Sequence, residues 1–223
     1  MRKATGHYPK YVSFLRDKAG VEFRGRILEL DAGEAWFSAE LSRLPKVVEV
    51  VIADFAPGRS REQAAQVFKA LGAQEAKIMR RPAGPHRFNF PDSHFHFVVC
   101  NAVLHDAMNL LVLLREVRRV LKPGGQLVAV REPVKPLVRW RAGQGSGSGS
   151  ASRHLESPLY SRAAYEDVFE RAGFSVKVRR VSLASGLRYY FDTVVNGLTH
   201  ARYVFVATRN EKAGTGRSKK SRA

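Results

Sequence analysis

The chain has 223 residues, 44% of them hydrophobic, which is enough to bury one substantial core and fits one α/β domain better than two. Its 38 Lys and Arg outnumber 20 Asp and Glu to give a net charge of +18, and a field of that sign favours nucleic acid, acidic headgroups or phosphorylated metabolites as partners. The single cysteine, Cys100, excludes an internal disulfide framework and suits a reducing, cytoplasmic setting. No apolar run reaches the roughly 18 residues of a membrane span, and residues 1–7 lead into no signal-peptide apolar region.

In chain order, residues 8–19 place Tyr8, Tyr11, Phe14 and Leu15 at helical intervals, with Pro9 in the first turn and Gly20 as the stop. Such a helix either closes the edge of the core or covers a ligand. Residues 26–42 read as a buried strand, a tight turn and a helix: Ile27, Leu28 and Leu30 are continuous apolar positions, and Trp36, Phe37 and Leu41 recur at helical spacing. In open α/β sheets the crevice beyond the carboxyl end of the first strand takes nucleotide-like ligands, because loop backbone and helix N-terminus both face it. Residues 47–54 form a β-branched run ending in Asp54, at about the interval where such units place a ribose-binding acid. A carboxylate there accepts from both ribose hydroxyls; a turn cap before Pro57-Gly58 is the other reading.

Residues 60–71 predict a second helix ended by Gly72, residues 76–79 a short third strand, and residues 80–89 a loop rich in proline and glycine. A fourth strand ends at Asn101. His86, His94 and His96 lie close in sequence, but no second cluster of Cys, Asp or Glu at ligand spacing accompanies them, so no metal site is expected. His105 follows the fourth strand, where a neutral imidazole can take a substrate proton or cap a helix start. Residues 110–121 carry Leu110, Leu113, Leu114, Val117, Val120 and Leu121 as one apolar stripe, stopped by Lys122-Pro123-Gly124-Gly125 before a fifth strand over 126–133. Residues 142–152 are a Gly/Ser connector just after Arg139, Trp140 and Arg141, which could meet an anionic substrate. A helix opening at Ser161, a strand over 174–183 and a last strand over 203–208 follow. Tyr189, Tyr190 and Phe191 between them make either an aromatic substrate wall or a satellite core. Residues 210–223 form a basic tail of disordered composition, able to attract phosphates without sequence preference.

Two stretches carry a family resemblance. Ile27-Leu28-Glu29-Leu30-Asp31-Ala32-Gly33-Glu34-Ala35 resembles the first motif of the class I S-adenosylmethionine-dependent methyltransferases (type 11-like domain), a hydrophobic strand with an acid leading into Gly-x-Gly-x-Gly. Leu114 to Val128, with its Leu121-Lys122-Pro123-Gly124-Gly125 turn, resembles the most recognisable signature of that family. The first motif is degenerate: Asp31 and Ala35 stand where two glycines are usual, and Gly84 stands where an acid usually meets the adenine amino group.

The resemblance covers residues 8–209 and implies an α/β fold, a Rossmann-like doubly wound seven-stranded sheet, mostly parallel with one antiparallel strand near the edge. It implies one methyltransferase-like domain over 1–209, interrupted by the 142–152 connector, with the tail outside it. It further implies S-adenosyl-L-methionine as cofactor, with Glu29 and Asp31 at its amino-acid end, Gly33 allowing backbone approach, Asp54 on the ribose, Phe55 against the adenine, and Asn101 and His105 bordering the transferred methyl. The methyl acceptor, a small or anionic molecule, and the oligomeric state are not readable. Two competing expectations remain: a non-catalytic scaffold, and an RNA-associated protein using its tail. The scaffold draws on Glu34, since two like charges about 5 Å apart cost on the order of 3 kcal/mol at an effective dielectric of 20.

Overall fold

The computed structural model describes residues 8–55, 61–85, 87–135, 160–181 and 202–211. Helix α1 (Tyr8–Ala19) precedes β1 (Gly25–Leu30), α2 (Trp36–Ser42), β2 (Val47–Asp54), α3 (Arg61–Leu71) and β3 (Ile78–Pro82). Then come β4 (Phe95–Asn101), α4 (Leu110–Val120), β5 (Leu121–Pro133), α5 (Arg162–Arg171), β6 (Phe174–Arg180) and β7 (Arg202–Arg209). The strands make one sheet in the order β3-β2-β1-β4-β5-β7-β6. Strands β1 to β5 pair in parallel, and β7 runs antiparallel to both β5 and β6. This is the doubly wound, Rossmann-like seven-stranded sheet that the sequence implied, with its one antiparallel strand next to the edge. The chain steps outward from β1 to β3 and then returns to lay β4 on the other side of β1, which opens a crevice at the carboxyl ends of β1 and β4.

Strand alternation divides the core into two layers. Ile27, Val50, Ile52, Phe97, Val99 and Val128 face α1, α2 and α3, where Leu15, Phe37, Leu41 and Val67 are buried. Leu28, Val51, Val98, Cys100, Leu127 and Phe205 face α4 and α5, where Leu114, Val117, Tyr165 and Phe169 are buried. Helix caps fix two entries: Asn109 Oδ1 accepts from the Val112 amide at 3.1 Å, and Ser161 Oγ accepts from the Ala164 amide at 3.1 Å. Tyr11, Phe14 and Leu15 of α1 are core residues, with the Tyr11 ring 5.7 Å from that of Trp36.

Strand boundaries differ from the sequence reading at β3, β5 and β6, and β6 ends at Arg180 rather than 183. The third strand runs over Ile78–Pro82 rather than 76–79, because Glu75–Lys77 coil into a 3₁₀ turn, and Arg80, Arg81 and Pro82 pair with Ile52, Ala53 and Asp54. As an edge strand β3 tolerates the proline and the arginines. The fifth strand starts at Leu121, which pairs with Phe95 before residues 122–125 bulge out and Gln126 pairs with Phe97. The 142–152 connector, residues 212–223 of the tail, His86, Arg139, Trp140, Arg141 and the Tyr189–Tyr190–Phe191 group lie outside the described residues.

Gly25 opens β1 at a φ of 66°, and a Cβ there would lie 2.4 Å from His96 Nδ1. Both the left-handed backbone and the clash oppose a side chain. Gly25→Ala is therefore expected to lower stability by about 2–4 kcal/mol, read as a reduced urea midpoint at unchanged slope.

Candidate active site

The turn between β1 and α2 keeps a left-handed backbone at alternate positions, with φ of 43° at Asp31, 53° at Gly33 and 54° at Ala35. These are the three positions where the resembling family has glycine. The turn has kept its path while losing two of the residues that adopt it without strain, and each substitution costs roughly 1–2 kcal/mol. Its hydrogen bonds hold it in place: the Asp31 amide donates to Ala53 O at 2.9 Å and the Ala35 amide to Ala32 O at 2.8 Å. Glu34 and Gly33 are exposed, and Trp36 turns inward to stack on Phe37 at 4.8 Å, so neither Glu34 nor Trp36 plugs the crevice.

Glu29 sits fully buried on β1 and ties that strand to α2. Its Oε2 accepts from the Ser38 amide at 2.8 Å and also from the Ser38 hydroxyl, while Oε1 is buried without a hydrogen-bond partner. Burial is the largest influence on this carboxyl and pushes it up to about 7, against the Ser38 hydrogen bonds and the nearby Arg80 charge, which favour the ionised form. Asn101, at the end of β4, likewise holds a buried Oδ1 with no hydrogen-bond partner.

Asp54 ends β2 with both carboxylate oxygens on Arg80 Nη1, at 3.1 and 2.9 Å, and the pair is mostly buried. Arg80 Nη2 is buried without a partner. The acid that the resemblance assigns to the ribose is thus engaged by a cation of the neighbouring strand. Arg80 was not among the expected site residues because the sequence reading put it in a loop; as the third residue of β3 it pairs with Ile52 and points to the face of Asp54.

Asp31 and Phe55 line a cavity of about 250 Å³ at the carboxyl ends of β1, β2 and β4, walled by Val103, Ala107, Met108 and Leu113. Phe55 stacks on Phe88 at 6.2 Å, and Met108 is 91% exposed at the rim. His105 lies in the adjoining 3₁₀ turn (Leu104–Asp106), with Nδ1 3.2 Å from Glu132 Oε2 and Nε2 3.4 Å from Asp106 Oδ1. The hydrogen bond to Glu132 is the main reason its imidazole titrates above the ordinary range. Glu132 is fully buried and also accepts from the amides of Val103, Leu104 and His105, fixing the turn on the end of β5. Sequence reasoning missed Glu132, although an acid near the carboxyl end of a parallel strand, as Glu29 and Asp54 are, was a usable signal. The site residues therefore fall into two groups: Glu29, Asp54 and Asn101 with Arg80 around buried polar atoms, and Asp31 and Phe55 at the cavity, with His105 in the turn beside it. Among the described residues no three His, Cys, Asp or Glu side chains form a group able to hold a metal ion.

Residues 28–129 match the model of the methyltransferase domain. Fusarin C synthetase of Gibberella fujikuroi is 29% identical over 104 residues, covering 44% of this chain and 3% of that protein. Demethylmenaquinone methyltransferase of Deinococcus radiodurans is 33% identical over 111 residues, covering 48% of this chain and 43% of that one. The chain thus spans a small fraction of the first relative and under half of the second. A crystal structure described as a putative sarcosine dimethylglycine methyltransferase from Galdieria sulphuraria superposes with a TM-score of 0.66 at 15% identity, over 95% of this chain and 88% of that one, which establishes the shared fold. Over residues 28–129 the chain is similar to methyltransferase domains, and it shares its fold with solved structures over nearly its whole length.

A carboxyl raised by folding favours the folded state while it is protonated. The stability owed to Glu29 is present in full below its unfolded value and is lost as pH rises through about 7. Between pH 4.5 and 8 the unliganded protein should lose roughly 3 kcal/mol relative to Glu29→Gln, measured by urea unfolding of both at each pH.

Proposed function

We propose that the protein transfers a methyl group from S-adenosylmethionine to a small, largely apolar acceptor bound in the crevice at the ends of β1, β2 and β4. One observation carries this reading: two buried oxygen acceptors without partners, Glu29 Oε1 and Asn101 Oδ1, lie near the carboxyl ends of adjacent strands at the switch point. Acceptors left open in that way suit a ligand that brings donors and positive charge, as a cationic amino-acid moiety does. The residues fit the cofactor, with one condition. Asp54 is available to the ribose hydroxyls only when Arg80 leaves it.

The bound cofactor supplies an electrophilic methyl on a sulfonium, open to in-line attack. The chain's own residues contribute position and proton transfer. Glu29 and Asn101 would hold the ammonium end, Asp54 the ribose, and Phe55 would offer a ring to the adenine. The apolar side chains of Val103, Ala107 and Met108 line the cavity and align the acceptor there, and alignment is the main source of rate in such a displacement. His105 takes the acceptor's proton at Nε2 while Glu132 receives Nδ1–H and holds the ring orientation. The apolar wall, together with the quinone-pathway relative named above, supports an apolar acceptor over an anionic one.

Calorimetric titration with S-adenosylmethionine and S-adenosylhomocysteine tests the reading. Binding tighter than millimolar is expected, and binding weaker than that favours the non-catalytic scaffold. At pH 6 Glu29 is protonated in the free protein, so pairing with the ammonium ejects a proton: the heat should vary with buffer ionisation enthalpy, and Glu29→Gln should abolish the variation. Arg80→Met should bind cofactor about tenfold tighter while unfolding at lower urea, since it frees Asp54 but leaves a largely buried carboxylate unpaired. Because His105 must be neutral to act, kcat/KM should rise with pH through a value above 6.5, and Glu132→Gln should move that limb to lower pH while slowing turnover.

A further inference from the structure

A second cavity, of about 360 Å³, opens at the amino ends of the strands, roughly 17 Å along β1 from the crevice. Its wall includes Arg24, His96, Lys122, Gln126 and the glycines of the Lys122–Gly125 bulge. His96 is fixed there from one side. The Arg26 amide donates to His96 Nδ1 at 3.1 Å, and the ring takes up this place only because residue 25 has no side chain. A ring nitrogen that accepts an amide proton carries no proton of its own, so the neutral imidazole holds its hydrogen on Nε2. Burial, with the charges of Lys122 and Arg24, keeps His96 below its ordinary titration range and therefore neutral.

Nε2 faces Lys122 Nζ at 3.2 Å. An ammonium has three donors and no acceptor, so two donors point at each other across that gap. The acids nearby do not resolve the conflict. Glu22, which also lines the cavity, lies 3.7 Å from Lys46, and Glu49 lies 3.7 Å from Arg26. Among the described residues neither Arg24 nor Lys122 forms an ion pair with a carboxylate.

We infer that this cavity is a binding site for a small phosphorylated molecule, whose phosphate oxygens accept from His96 Nε2–H and Lys122 Nζ together and are held by Arg24. An oxyanion converts the opposed donors into two charge-assisted hydrogen bonds and supplies the counter-charge that the acids do not. A volume of about 360 Å³ falls at the small end of ligand pockets, so it accommodates a phosphomonoester with a modest organic body as well as inorganic phosphate. The site lies apart from Glu29, Asp54 and His105 and does not depend on methyl transfer.

Nitrogen-detected NMR of the His96 ring during titration with inorganic phosphate, and then with glycerol phosphate, tests the assignment on the full chain. Both anions should shift the Nε2 signal saturably, chloride at matched ionic strength should not, and Lys122→Met and Arg24→Gln should each weaken phosphate binding about tenfold or more. Affinity for S-adenosylhomocysteine should be unchanged in both variants, which separates this site from the cofactor crevice. Should one variant fail to fold, the other carries the comparison. An equal response to chloride, unaltered phosphate binding in a folded variant, or exclusion of the monoester overturns the assignment. Displacement of phosphate by a single-stranded RNA oligonucleotide of higher affinity would overturn the small-molecule reading.

Discussion

Much of this molecule depends on one buried carboxylate. Glu29 accepts twice from Ser38 and thereby clamps the end of β1 to the start of α2 across a turn whose residues at 31, 33 and 35 are all left-handed. The two hydrogen bonds to this carboxyl, which is neutral below about pH 7, are worth about 0.5–1.5 kcal/mol each, together comparable to the strain of a left-handed residue such as Asp31 or Ala35. The clamp is thus of the right size to keep a turn that its own sequence no longer favours. It also explains the state of the carboxyl. Burial raises it while Ser38 and Arg80 lower it, and the balance lies near 7.

Arg80 plays the opposing part. By donating to both oxygens of Asp54 it satisfies a mostly buried acid. On the proposed reading, ribose hydroxyls of the cofactor would compete with this guanidinium for Asp54 at one end of the crevice. At the other end, Glu132 arranges the Leu104–Asp106 turn and His105 with no similar competition, because three backbone amides and one ring nitrogen share its two oxygens.

The fold was largely legible in the sequence because its signals are local. The β-branched run ending at Asp54, the stripe from Leu110 to Val120 and the Pro-Gly-Gly turn each state an element and its limit. Glu29, Asp54 and Phe55 could be singled out as acids and an aromatic at the ends of buried strands. Arg80 could not, because an arginine pair followed by proline reads as loop unless one knows that β3 is a sheet edge. The persistence of the left-handed turn was also hidden: Asp31 and Ala35 argue against it residue by residue, and it is held by backbone bonds to Ala53 and Ala32 and by the contacts of Glu29 with Ser38, nine positions away. Likewise the opposed donors of His96 and Lys122 come from strands separated by 26 positions and exist only in the assembled sheet.

A crystal structure of the chain with S-adenosylhomocysteine tests most directly whether the crevice takes a cationic nucleoside by exchanging Arg80 for ribose. The account predicts the ribose hydroxyls on Asp54, Arg80 Nη1 withdrawn from it, and the amino group within hydrogen-bond distance of Glu29 Oε1 or Asn101 Oδ1. An intact Arg80–Asp54 pair with the nucleoside bound elsewhere would contradict it.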